Sequence, residues 1–376
     1  MYRFEILSKV DPLKWNDNLL KSEHSTFFQT SHYLKKSGDT YPVFINVYDE
    51  NKAIVGQLGL KIVNTAEFYA SPILLKLLKL IKSVTRRAIW IDGPIIHLHD
   101  LKQRDEVFQC IMQALEFVLK SNKVVFLYGY SPPRDLLIDQ NFLKYFEKNN
   151  YQIDQYVTYI TDLTKSVDEI WSKVQKYTKT NVKRAAKRGI IIKELKLKEE
   201  LQDFVKLHQQ WGETKGLSVI YSSDELQSLW DNISNGTEKI FFAFNNDKII
   251  SSIRISIFNN TVIPTQVLNS YSKSTSLGGP ALTWRAITWA KESNMKIYDI
   301  TGGTNPENTA NDNTDSSLVH YKRKWGGDQI QYYKFFKIVN PNKFFIYGIL
   351  MKLQVCIRKN KTRVRPNKST PEIKNT

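Results

Sequence analysis

Apolar and polar positions along the chain alternate with a period of two, give way to a period near 3.6, and then repeat the exchange. The opening stretch MYRFEILSKV and residues 43–47 and 53–62 alternate as strands, the last two around the turn Asp49-Glu50-Asn51-Lys52. Helical spacing follows over 101–119, then a buried strand over 124–128, a helix over 134–148 after Ser131-Pro132-Pro133, and a strand over 151–159. A second cycle starts with a helix over 167–187 that stops at Gly189, followed by a strand over 190–194 and a helix over 199–215. Strands over 240–244, 249–258 and 261–268 are joined by Asn245-Asn246-Asp247 and Asn259-Asn260, which have hairpin chemistry. A helix over 280–292, a strand over 296–300, an Asn-, Thr- and Gly-rich loop over 301–314 and a strand over 330–338 complete the pattern. The same coarse order occurs twice, which predicts a mixed α/β (α+β) fold of two halves, 1–155 and 156–325.

Composition agrees with a packed protein. The 376 residues suffice for two to three units, and 41% apolar against 24% charged residues allows a sizeable core. Net charge is +17, and the polar, unperiodic tail over 358–376 holds seven Lys or Arg against Glu372 alone, so most of the excess lies on the folded body. That balance points to polyanionic partners: RNA, nucleotide-linked substrates or an anionic membrane face. Cys110 and Cys356 are too few and too far apart for a disulfide framework or a zinc knuckle. The N-terminal strand pattern is not that of a secretory signal, which leads us to expect a location in the cytoplasm or at the inner face of the membrane. No apolar run is long enough to span a bilayer; the nearest, 344–357, is interrupted by Lys352.

Three stretches carry candidate chemistry. In the helix over 167–187, Lys173, Lys176, Lys179, Lys183 and Lys187 fall on one stripe, opposite Trp171, Val174, Val182 and Ala185. No acid occurs between Trp171 and Arg188, so the stripe is either a polyanion-binding face or a solvated lysine face. Residues 71–90 set Lys76, Lys79, Lys82, Arg86 and Arg87 among Leu and Ile, which suits an interfacial membrane helix or a core helix with lysine stems at its rim. The loop Ser276-Leu277-Gly278-Gly279-Pro280 opens a helix where free amides would hold an anion, although Thr275 and Pro280 break the pyrophosphate loop of coenzyme A acetyltransferases. His97 and His99 lack a third ligand at metal spacing, so no metal is expected, and hydrolase, P-loop and Rossmann fingerprints are absent.

Three blocks in order resemble the FemAB family of aminoacyl-tRNA-dependent transferases and its acetyltransferase-like relatives. The first is FQTSHYLKK (28–36), in which Tyr33 stands for the family's Trp and Lys36 keeps its Lys. The second is Thr161-Asp162-Leu163, Trp171 and NVKRAAKRG (181–189), with Thr180 where the family often has Arg. The third joins GPALTWRAITWA (279–290), YDITGG (298–303) and YKRKWGG (321–327). The resemblance implies two tandem GNAT-like halves with a substrate cleft between them, and a return segment over 326–357 that packs on the first half. It also implies acceptor contacts from Lys36 to phosphate, with Tyr33, Tyr321, Gly302 and Gly303 binding substrate. Lys322 would lie near the transferred acyl group, and Asp92-Gly93-Pro94 would border the cleft.

The implied reaction is attack of an amine on an activated ester or thioester. A fixed ammonium, Lys322, would stabilise the developing oxyanion by about 3 kcal/mol, and Asp92 or Asp299 would take the amine proton, unless Asp299 caps its loop. The expected activity is aminoacyl transfer from aminoacyl-tRNA to an amine of a nucleotide- or lipid-linked, peptidoglycan-type envelope precursor, by a monomer without further cofactor. Lys176, Lys179, Lys183 and Lys187 would hold the RNA. Two alternatives stay open: an acyl-CoA-dependent N-acyltransferase of a surface sugar or lipid amine, and a non-catalytic RNA- or membrane-binding module.

Overall fold

The computed structural model describes residues 2–64, 82–135, 140–215, 219–270, 277–304 and 313–363. Its strands are β1 (Arg3–Leu7), β2 (Thr40–Tyr48), β3 (Ile54–Val63), β4 (Arg87–Trp90), β5 (Ile95–Ile96), β6 (Phe126–Tyr130), β7 (Gln152–Asp162) and β8 (Ile191–Glu194). The meander β9 (Glu238–Asn245), β10 (Lys248–Phe258) and β11 (Thr261–Asn269) follows, then β12 (Ile297–Thr304) and β13 (Asp328–Ile338). All belong to one sheet ordered β1-β2-β3-β4-β6-β13-β7-β12-β11-β10-β9-β8, with β5 beside β3. The helices are α1 (Pro12–Leu19), α2 (Ser31–Leu34), α3 (Lys82–Thr85), α4 (Leu101–Ser121), α5 (Gln140–Lys148) and α6 (Val167–Lys173). They continue with α7 (Lys176–Lys187), α8 (Leu201–Thr214), α9 (Ser223–Ser234), α10 (Gly278–Glu292), α11 (Asn313–Arg323) and α12 (Pro341–Arg363).

The first core lies under α4. Asp100 caps that helix by accepting from the Gln103 amide at 2.9 Å, and the 3.6-residue stripe Val107, Phe108, Ile111, Leu115 and Val118 is buried against β2 and β3. A second core collects Ile253, Ile255, Leu282, Ala286, Ile287 and Tyr298 between α10 and the meander. Both expected asparagine turns form: Asn246 and Asp247 (φ 47° and 58°) and Asn259 and Asn260 (φ 48° and 56°) supply the paired left-handed residues of two-residue hairpins.

β13 joins the halves. It pairs antiparallel with β7 from Asp328↔Ile160 to Phe336↔Gln152 and with β6 from Lys334↔Tyr130 to Ile338↔Phe126. Phe335, fully buried, stacks on Phe146 of α5 with ring centroids 3.7 Å apart.

Tertiary contacts overrule local periodicity at several places. The expected helix 167–187 is two helices: Val174 is extended and buried, and the Gln175 amide donates to the Lys324 carbonyl (3.0 Å) instead of continuing the helical ladder. Lys173 therefore leaves the lysine stripe and pairs with Asp328 at 3.2 Å. The expected helix 71–90 lies partly outside the described residues, and its end is not helical, because Arg87–Trp90 form a parallel ladder with Phe126–Gly129. The helix expected over 134–148 starts, in the described residues, at Gln140; Asp135 is held in a turn by the Arg104 guanidinium at 2.5 Å. The 301–314 loop is strand to Thr304 and helix from Asn313. α9 was not legible from periodicity, yet Ser222 and Glu225 form its capping box and are a sequence signal for it.

Phe335→Ala should cost about 3–5 kcal/mol, because the cavity opens where both halves meet. Urea unfolding checks this, and a loss below about 1 kcal/mol would contradict the joining role of β13.

Candidate active site

β11 and β12 start as a parallel pair but are bonded only at Thr261↔Ile297 and Val262↔Tyr298. Beyond that point Pro264 offers no amide, and a bulge between Arg254 and Ile255 turns β11 away. The splayed strands border an open cavity of about 970 Å³, lined also by α7 (Tyr177, Thr178, Asn181), α10 (Gly279, Pro280, Thr283) and α11 (Leu318, Tyr321, Lys322). Tyr298 also lines it; its hydroxyl is buried with no hydrogen-bond partner among the described residues, and burial pushes its pKa well up.

Lys322 lies in the wall of this cavity. It is 8% exposed, and its Nζ donates to Thr301 Oγ1 (2.8 Å) and to the Gly302 carbonyl (2.7 Å). Thr301 is a β-branched residue at φ 67°, in the left-handed region such residues avoid. The strain sits where the ladder between β12 and β7 slips between Asp299 and Gly302. Asp299 Oδ1 holds the bulge by accepting from the Thr301 amide (2.8 Å) and from Thr158 Oγ1 (2.5 Å). Its carboxyl is fully buried and shifted up by desolvation, against the lowering effect of those bonds and of Arg134 and Lys322.

On the other side of this bulge, between the halves, lies a cavity of about 280 Å³ that includes Thr301, Gly302, Asp299 and Asp92 in its wall. Asp92 Oδ2 accepts from Thr26 Oγ1 at 2.8 Å. Burial raises the Asp92 pKa to about 7, opposed by the Thr26 bond and by Arg134, and reinforced by Asp299. Tyr130, Tyr156 and Tyr332 complete the wall, with centroids 5.6–6.3 Å apart. Two carboxyls and three tyrosine rings make a pocket chemically suited to an amine.

Ile91 and Tyr130 are shared with a third cavity of about 560 Å³, lined on the first half also by Tyr33, Lys35, Asp39, Lys61 and Tyr128 and on the second by Glu225. Lys61 Nζ lies 3.5 Å over the Tyr33 ring, and Ser37 donates to Glu225 across the halves at 2.7 Å. The three cavities thus adjoin in file, with Thr301 between the first two and Tyr130 between the last two.

Of the residues singled out in the sequence, Lys322 and Tyr321 line the first cavity, Asp92 and Gly302 the second, and Tyr33 the third. Lys36 is exposed and lines none of them, whereas its neighbour Lys35 does. Gly303 faces α11, where a Cβ would meet Val319 at 2.5 Å. Lys176, Lys183 and Lys187 are exposed on α7, opposite its cavity-lining side. Lys179 donates to the Ser172 carbonyl (2.9 Å) and lies 5.9 Å from the Trp171 ring centre. Thr158, Lys61 and the tyrosine trio escaped sequence reading, since they come from distant strands that only the sheet order brings together; Thr301 lies in the YDITGG block but carries no expected role there.

Comparison with known proteins bears on the fold. Residues 142–224, which include the basic block of α7, match the sequence model of the FemAB family. The crystal structure of FemX is similar over 91% of this chain and 99% of its own, at 14% identity and a TM-score of 0.64. A tandem GNAT protein from the clavulanic acid biosynthesis pathway is similar over 91% and 99%, at 11% identity and 0.57. L-PGS from Bacillus licheniformis is similar over 93% and 97%, at 11% identity and 0.50. No curated protein matches the sequence. The fold is therefore a pair of tandem GNAT-like halves. The match of residues 142–224 to the FemAB model, together with this fold, supports an acyltransferase.

The Asp92 shift gives a testable pH dependence. Folded Asp92 keeps its proton to about pH 7, whereas the unfolded residue loses it near its ordinary value of 3.8, so the folded state binds more protons between these limits. The group's contribution to stability is complete below the lower limit and is lost as pH rises through the upper one, at no more than about 1.4 kcal/mol per pH unit. Asp299 acts with the same sign. Asp92→Asn should therefore flatten the fall in urea midpoint over this range; an unchanged slope would contradict the buried, protonated carboxyl.

Proposed function

We propose that this protein transfers an aminoacyl group from aminoacyl-tRNA to an amine of a cell-envelope precursor of the peptidoglycan type. The observation that carries the reading is that Lys322 and Asp92, from opposite halves, approach the Thr301–Gly302 bulge from its two sides. The acyl ester enters the cavity between β11 and β12, and the acceptor amine enters the carboxyl-lined cavity beyond the bulge. The amine nitrogen attacks the ester carbonyl, the carbonyl oxygen gains charge beside Lys322 Nζ, and Asp92 receives the amine proton. As the ester C–O bond breaks, the leaving ribose oxygen takes up a proton. An acid with a pKa of about 7 suits that exchange near neutral pH.

Other features support the partners named. The excess positive charge and the exposed lysines of α7 favour an RNA donor whose body runs over α7 to the side away from the cavity, while Tyr177 and Lys324 line the cavity itself. Lys35 and Lys61 favour an acceptor bearing phosphate in the third cavity, in the role expected of Lys36. The unpartnered Tyr298 hydroxyl favours a polar group on the donor. The reading implies a monomer working in the cytoplasm or at the inner membrane face; among the described residues no helix is long and apolar enough to cross a membrane. One observation favours an acyl-CoA donor instead: the first turn of α10, with no side-chain cap, lies where Gly279 and Pro280 line the cavity, and such amides bind diphosphate.

Filter binding over a salt series separates the donors. Aminoacyl-tRNA should be retained with an affinity that falls steeply as salt rises. Tight, salt-insensitive binding of acetyl-CoA without tRNA retention would replace this reading by the second. For the chemistry, Lys322→Met should keep donor binding and lower single-turnover rate about a hundredfold or more. An unchanged chemical step would remove Lys322 from the mechanism.

A further inference from the structure

α12 presents two different faces. Asn340 caps it by accepting from the Lys343 amide at 3.0 Å. Phe344 and Tyr347 then pack inward on Phe126 and Phe336 of the sheet, with ring centroids 4.9–5.8 Å apart. The opposite arc carries Phe345, Ile346 and Ile349, which are 70%, 45% and 45% exposed, with exposed Lys352 one turn further on. Three large apolar side chains on one solvent-facing arc mark an interaction surface rather than scattered exposure.

Charge decides what covers it. Residues 329–371 contain no Asp or Glu, while 341–371 contain eight Lys or Arg. A second copy of this chain would oppose one cationic surface with another. An RNA partner would satisfy the cations but leave Phe345, Ile346 and Ile349 in water. An anionic bilayer surface satisfies both, since apolar side chains enter the boundary between headgroups and acyl chains while Lys and Arg reach phosphate. A further feature agrees: α3, which packs on α12, continues directly from the sequence over 71–81, where Lys76 and Lys79 stand among Leu and Ile without an acid.

We infer that α12 docks the protein on anionic membrane through Phe345, Ile346 and Ile349. The docking places the acceptor cavity beside lipid headgroups. Phe126, under α12, and Tyr128 and Tyr130, in the wall of the third cavity, alternate onto one face of β6. A lipid-linked acceptor would thus reach the cavity without leaving the membrane. That last consequence rests on the acyltransfer reading, whereas the docking itself does not.

The test is co-sedimentation of the full chain, without either substrate, with vesicles of phosphatidylcholine alone or containing phosphatidylglycerol. The protein should pellet preferentially with phosphatidylglycerol vesicles. The triple variant Phe345→Ser, Ile346→Ser, Ile349→Ser should lose partitioning at least about tenfold at unchanged melting temperature, because these side chains are exposed. Undiminished binding of the triple variant would assign membrane contact to another segment and overturn the proposal. So would equal binding to both vesicle types, or no binding by the parent protein. A dimeric parent protein that the substitutions convert to monomer would make the face a contact between copies instead. Filter retention of aminoacyl-tRNA is read independently, so failure of the docking and failure of the donor assignment are distinguishable.

Discussion

The candidate active site depends on the antiparallel ladder that threads β13 between β6 and β7. Without it the first half would end at β6, the second would start at β7, and Asp92 and Asp299 would have no fixed relation. Backbone hydrogen bonds along both edges of β13 fix register as well as proximity, because a slip of one residue would turn Tyr332 away from the cavity it shares with both carboxyls. Phe335, on the other face of the same strand, ties that register to the first core through Phe146. One strand thus supports both the fold and the site.

The second constraint is local. A Thr held at positive φ costs on the order of 1–3 kcal/mol, which the surrounding bonds must offset. Asp299 and Thr158 grip the bulge from the β7 side, and Lys322 grips it from α11. Those bonds hold the largely buried Lys322 ammonium against Thr301 and Gly302, and Thr301 lines both cavities. Asp299 caps the bulge by accepting from the Thr301 amide and from Thr158, whereas Asp92 accepts from Thr26 and burial raises its pKa to about 7.

Much of this was legible in the sequence. The asparagine turns specified both hairpins, and the alternation at 43–47, 53–62 and 330–338 located β2, β3 and β13. Lys322, Tyr321, Asp92, Gly302 and Tyr33 were named by family-like blocks, and each lines one of the three cavities. What escaped was set by tertiary contact. Val174 breaks a continuous helical pattern because its side chain is drawn into the core. Arg87–Trp90 looked helical among leucines and lysines but finds a strand partner in β6. Lys61 and the tyrosines of β6, β7 and β13 are far apart in sequence, and no spacing rule converges on them. Lys36 illustrates the reverse: the motif was present, but the turn after α2 leaves Lys35 in the cavity wall.

The central claim is that the two halves form a single reaction centre with Lys322 on one side of the Thr301 bulge and Asp92 on the other. A double-variant cycle in single-turnover kinetics tests it most directly, comparing Lys322→Met, Asp92→Asn and the pair with the parent protein. If both side chains serve one transition state, the double variant should be scarcely slower than the slower single variant. If instead the two rate losses multiply, Lys322 and Asp92 act on separate events, and a single centre at the joint between the halves is contradicted.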